Sequence, residues 1–121
     1  MPRISGPIFI ACGLLHIGVG IATLRDPMAA IARAGFLNAV EPHYDRRAAF
    51  WFFFAGALML LLGQAYIWIE HKLGRRVPAF LGWQMFAIAA TGAALIPASG
   101  FWIVIPLGIY IVIAARREAA R

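Results

Sequence analysis

Three long stretches of this chain contain no Asp, Glu, Lys or Arg: Ile4 to Leu24, Ala48 to Ile69 and Val77 to Ala115. Crossing the hydrocarbon core of a bilayer as a helix takes about 20 predominantly apolar residues. The first two stretches allow one crossing each and the third allows two. The sequence therefore predicts an all-α membrane protein, a four-transmembrane-helix antiparallel bundle in one domain, with spans over about 4–24, 46–70, 78–97 and 100–115.

Composition points the same way. Hydrophobic residues make up 63% of the chain and charged residues 13%, against roughly 45–50% and about 25% in soluble domains. A soluble domain of this size buries only about two-thirds of the surface its unfolded chain exposes, so the surplus would form large apolar patches. A signal peptide is the competing reading of Ile4 to Leu24. That run outlasts the roughly 7–15 residues of a signal h-region, and Ala22-Thr23-Leu24-Arg25 is a poor cleavage site, so a retained helix is expected. Cys12 is the single cysteine, which excludes an intrachain disulfide.

A formal charge of +6 invites a nucleic-acid reading, but the basic residues sit in the short segments between apolar runs rather than along one face. Membrane topology explains them better, and no nucleic-acid partner is expected. With four spans, one side carries Arg3, Lys72, Arg75, Arg76, Arg116, Arg117 and Arg121, and the other carries Arg25, Arg33, Arg46 and Arg47. The positive-inside rule then puts both termini in the cytoplasm. Trp51 and Trp102 fall near one predicted interface and Trp68 and Trp83 near the other, the two belts that indole side chains form.

Small residues set the expected helix contacts. Gly6, Gly13 and Gly20 recur every seven residues in the first helix, with Phe9, His16 and Thr23 interleaved, and Ala49, Gly56 and Gly63 repeat that spacing in the second. Helices in lipid associate through close backbone approach at such residues, so these stripes should face the interior. In the first loop, Asp26 and Pro27 open and Gly35 closes a short interfacial helix over about 27–35, a lid or float whose Met28, Ile31 and Ala32 share one side. Asp45 is the expected cap of the second span, and Pro106 should kink the fourth.

His16 is the leading candidate for chemistry, because an ionisable group at membrane depth is costly unless it has a partner or a task. Twelve residues after Ile4, it lies about 18 Å along the helix. As a free imidazole it would shuttle protons or bind a metal or haem; as a packing element it would bond a carbonyl or hydroxyl on a neighbouring helix. Cys12, four residues earlier, shares its face, but no second intramembrane His or Cys completes a metal site, and packing is the favoured role of the thiol. Gln64 and Gln84, at similar depth, are the expected interhelical amide pair, with lining of a polar cavity beside Thr91 as the lesser alternative. In the first loop, Glu41, His43 and Asp45 alternate as an extended metal or acid–base cluster would, although solvated loop polarity accounts for them. Arg47, one turn above Trp51, is placed either to meet an anionic ligand or to snorkel.

Several strings together look familiar: His16, Arg25-Asp26-Pro27, Gly35-Phe36-Leu37-Asn38, Ala49-Phe50-Trp51-Phe52 and Pro97-Ala98-Ser99-Gly100-Phe101-Trp102. They resemble a family of small, uncharacterised four-span bacterial membrane proteins, and the layout is distantly similar to the DoxX-like group, which includes quinol-oxidase accessory subunits. The resemblance implies a bacterial inner membrane and a shared pocket or interface around Asn38, Trp51, Ser99 and Trp102. It assigns no cofactor. Three functions follow in order of preference: a non-catalytic accessory or lipophile-binding module, working as a homo-oligomer or with a membrane protein partner; a small membrane enzyme with His16 as acid or base, and Asn38, Arg47, Trp51 and Trp102 holding an apolar substrate; and a small multidrug-resistance-type transporter, for which the first span lacks the required carboxylate.

Overall fold

A computed structural model describes all 121 residues. It contains five α-helices and no strand: α1 (Ser5–Thr23), α2 (Arg25–Arg33), α3 (Tyr44–Ile67), α4 (Ala79–Leu95) and α5 (Phe101–Ala119). At its far end α3 widens into a π-helical turn over Trp68–Lys72, where Leu73 N–H reaches back five residues to the Trp68 carbonyl at 3.2 Å. Gly74, at φ +65°, then ends the helix in the left-handed region that glycine adopts without a Cβ clash. Of these helices, α1 and the continuous stretch Tyr44–Lys72 are long and apolar enough to cross a membrane. The apolar α4 is shorter at 17 residues, and α5 carries Arg116, Arg117 and Glu118 towards its end.

The glycine stripes create the main packing. Gly6, Gly13 and Gly20 of α1 lie against α3, where Gly56 and Gly63 face them. A Cβ at Gly6 would stand 2.6 Å from the Ile67 nitrogen and 2.8 Å from the Gly63 carbonyl oxygen, so backbone meets backbone there. Ala49 is wholly buried at the other end of the seam. A second pair forms in the same way, with Gly82 of α4 against Gly108 of α5 and Gly92 under the Phe101 ring. Two antiparallel hairpins result, α1 with α3 and α4 with α5, and the contact of α1 with α5 joins them.

The α3 and α4 helices do not pack along their lengths, as the expected pairing of Gln64 with Gln84 would require. The core that ties the hairpins together comprises Phe9, Tyr66, Val77, Met85, Leu107 and Ile111, all in the half of the molecule that holds the termini. The buried residues of α5 begin only at Leu107. In all, 22 of 121 residues are buried, and large apolar side chains are exposed on every long helix. The four tryptophans sit at opposite ends as two pairs, each ring half or more exposed.

Local details correct several expectations. The α2 helix ends on Gly35 at φ +84°, as its sequence predicts, and buries Ile31, while Ala32 is exposed. Neither Asp26 nor Asp45 caps through its side chain; each lies inside the first turn, where its charge still opposes the helix dipole. The second helix begins two residues earlier than expected, at Tyr44, and the last continues to Ala119 because Arg116, Arg117 and Glu118 are good helix formers. Pro106 lies inside a continuous α5. Thr23 turns outward and bonds its own helix at the Val19 carbonyl, 2.8 Å away.

Candidate functional site

His16 is spoken for. The stripe that carries the α1 glycines also turns His16 towards α3, where Nε2 lies 3.0 Å from the Phe52 carbonyl oxygen. A carbonyl only accepts, so Nε2 holds a proton and donates it. The imidazole also stacks on the Phe52 ring, with centroids 3.9 Å apart and planes 11° from parallel. Gly56 makes room for this contact, since a Cβ there would come within 3.3 Å of the imidazole. Cys12 is half-buried one turn away on α1 and is free. No three His, Cys, Asp or Glu side chains converge as a metal would require.

The remaining sequence-derived candidates do not gather around His16. Asn38 is exposed in the first loop at φ +52°, a left-handed conformation that asparagine tolerates. Arg47 forms an ion pair with Glu41 and lies over the Tyr44 ring at 5.0 Å. Arg46 donates to the Ala39 carbonyl at 2.8 Å, so adjacent arginines fasten the loop to the start of α3. Glu41 is thus an arginine partner rather than one arm of a metal cluster. Trp51 is exposed beside Phe50 and Phe54. In the α4–α5 turn, Trp102 Nε1 donates to the Pro97 carbonyl at 2.9 Å, and the Ser99 hydroxyl is buried without a partner.

Gln64 and Gln84 do not pair. Both are exposed. Gln64 follows Gly63, which faces α1, and one residue turns a helix by about 100°, so its amide leaves the seam. Gln84 lies two residues beyond Gly82, which faces α5, and turns away from that contact for the same reason. Their helices belong to different hairpins, and equal depth alone does not bring them together.

Two features at the end holding the termini are absent from the sequence-derived set. The first is Glu70, fully buried in the π-helical turn. Its carboxyl accepts the Ser5 backbone N–H at 3.1 Å and the Ser5 hydroxyl at 2.8 Å. The first turn of α1 has no acidic residue and no cap from its own N-cap position, so α3 supplies the cap. Sequence carries a signal for this: Glu70 is the next member of the Ala49, Gly56, Gly63 series, seven residues on.

The second is an arginine-lined end. Arg3 Nη2 donates to the Gly74 carbonyl at 2.6 Å, and Arg76 Nη1 donates to the Pro2 carbonyl at 2.7 Å. Arg76 Nη2 bonds the Met1 carbonyl, and the Tyr110 hydroxyl bonds that of Pro2. The first residues thereby stitch the α3–α4 loop and α5 to the base of α1. A cavity of about 160 Å³ opens here, walled by Arg3, Arg76, Arg117 and Arg121 with Glu118 as its one acidic residue. A larger one beside it shares Arg76 and Glu118 and adds Arg75 and Arg116.

By fold and surface this is an all-helical protein with two helices long and apolar enough to cross a membrane. It belongs to a family of unknown function, DUF6463, whose model matches residues 1–118. No curated protein and no solved structure matches the chain.

Proposed function

We propose that the chain is a four-span integral membrane module without catalytic activity, an accessory or lipophile-binding scaffold with both termini in the cytoplasm of a bacterial inner membrane. The observation that carries the non-catalytic reading is the His16 contact: the one imidazole in α1 is stacked on Phe52 and bonded to a carbonyl of α3. Exposed apolar side chains on all four long helices and tryptophans at both ends support the spans. The distant resemblance of the sequence layout to the DoxX-like group is the basis for proposing an accessory role in a homo-oligomer or beside a membrane protein partner.

Reporter fusions test the topology. Fusions after Gly74 and Arg121 are expected to report cytoplasm, and fusions after Gly35 and Ser99 the opposite side. Gly35 and Gly74 reporting the same side would end the four-span reading.

For His16, two substitutions separate packing from chemistry. His16→Ala removes both the hydrogen bond and the stack and is expected to lower stability by about 1–2 kcal/mol. His16→Phe keeps the stacking and should recover part of that loss. The readout is the unfolding midpoint in detergent, together with oligomer size. If His16 instead serves as an acid or base, turnover is lost in both variants, including in His16→Phe despite its recovered stability.

A further inference from the structure

We propose that the smaller arginine-walled cavity binds a phosphate group, and that an anionic phospholipid headgroup supplies it. Four arginine side chains line this space against one acidic side chain, Glu118. Two of them are held in place by the protein: Arg3 by the Gly74 carbonyl, and Arg76 by the carbonyls of Met1 and Pro2. Donors fixed before binding lose little freedom when a ligand arrives. Arg117 and Arg121 lie four residues apart, at and just past the end of α5, and neither side chain has a hydrogen-bond or ion-pair partner in the chain. Their planar forks match phosphate oxygens, which take paired N–H donors.

Glu118 offsets only part of this positive charge. Its Oε2 accepts the Arg76 backbone N–H at 3.1 Å and stands 3.9 Å from Arg75 Nε, so its charge is engaged with the α3–α4 loop. Arg117 and Arg121, both exposed, keep their N–H donors free for an incoming anion. At about 160 Å³ the cavity suits a small charged group, well below the roughly 300–1,000 Å³ of sites for drug-sized ligands. It lies where helix ends meet the headgroup layer in the four-span reading, and basic pockets at that level bind anionic headgroups. The lipid source rests on that reading, whereas the phosphate site does not.

The experiment uses the full-length protein in uncharged detergent. Unfolding midpoints and native mass spectra are recorded with phosphatidylcholine alone, with added phosphatidylglycerol, and separately with inorganic phosphate against chloride at equal ionic strength. Arg117→Gln/Arg121→Gln is compared with Arg25→Gln/Arg33→Gln, which removes equal charge at the opposite end. Phosphatidylglycerol should stay bound to the wild type and to the control pair, raise their midpoints, and bind the Arg117/Arg121 variant at least about tenfold more weakly, as loss of one charge-assisted bond implies. Protection by inorganic phosphate alone, lost in the same variant, would uphold the site and overturn the lipid source. Equal responses from both double variants, or no response from the wild type to either anion, would overturn the site. A failed topology map with phosphate protection intact would overturn the four-span reading and leave the site standing.

Discussion

Replacing Glu70 by alanine is expected to destabilise the protein by roughly 3 kcal/mol, more than any other single polar substitution in the chain. Three losses combine. The Ser5 N–H, buried at the start of α1, loses its acceptor, and an unsatisfied buried donor costs about 1–3 kcal/mol. The helix loses its cap and the negative group that opposes its dipole. A cavity also opens where the carboxyl was fully enclosed. Glu70→Gln keeps one acceptor oxygen of similar shape and should lose less than half as much. Ser5→Ala deletes only the hydroxyl donor and should be the mildest of the three. Thermal unfolding in detergent reads the series, with proteolysis near Ser5 as a local probe of fraying. If alanine and glutamine at position 70 behave alike, the hydrogen bonds to Ser5 are not what holds this end together.

The position of Glu70 also shows what the sequence does and does not disclose. Periodicity reveals a helix face because backbone geometry repeats whatever the partner, and so the spacing of Gly6, Gly13 and Gly20 is enough to identify a seam. The same arithmetic leads from Gly63 to Glu70, but a charged residue beside His71 and Lys72 also reads as the polar end of a span. What decides between the two is the partner, an uncapped α1 that lies 65 positions away in the chain. The π-helical turn adds a difficulty, since a widened turn changes which residues share a face, and no local residue pattern announces it. The N-terminal stitch is equally hidden. Carbonyls of Met1 and Pro2 accept bonds here, and a carbonyl has no signature among residue types.

The candidate ligand residues differ from the seam for a physical reason. Asn38, Arg47, Trp51, Ser99 and Trp102 share one end of the molecule, but being at the same end does not bring side chains into one pocket. Arg47 is taken by Glu41 and Tyr44, and Trp102 by its own turn. Gln64 and Gln84 illustrate the same limit for depth. Two polar residues at one level meet only if their helices are neighbours and both faces turn inward. In this chain the glycines decide which helices are neighbours, pairing α1 with α3 and α4 with α5 and leaving α3 and α4 apart.

That role of glycine leads to the other large expected effect. Gly6→Ala should destabilise the α1–α3 hairpin by about 2–3 kcal/mol, at the upper end of overpacking costs, because the added methyl group meets main chain as well as the Ile67 side chain, and main chain cannot rotate away. The Cβ would lie 2.6 Å from the Ile67 nitrogen and 2.8 Å from the Gly63 oxygen, contacts relieved only by moving the helices apart. Separation there would also pull Ser5 from Glu70, so the two strongest predictions are coupled and their double variant should lose less than the sum. Gly18→Ala is the matched control on the same helix. Nothing lies within 4 Å of its Cβ position, and alanine is the better helix former by about 1 kcal/mol, so this variant should be as stable as wild type or more so. Comparing the two unfolding midpoints isolates the seam from helix propensity. Equal effects at positions 6 and 18 would mean that α1 does not approach α3 backbone to backbone, and the hairpin would have to be held by its large side chains instead.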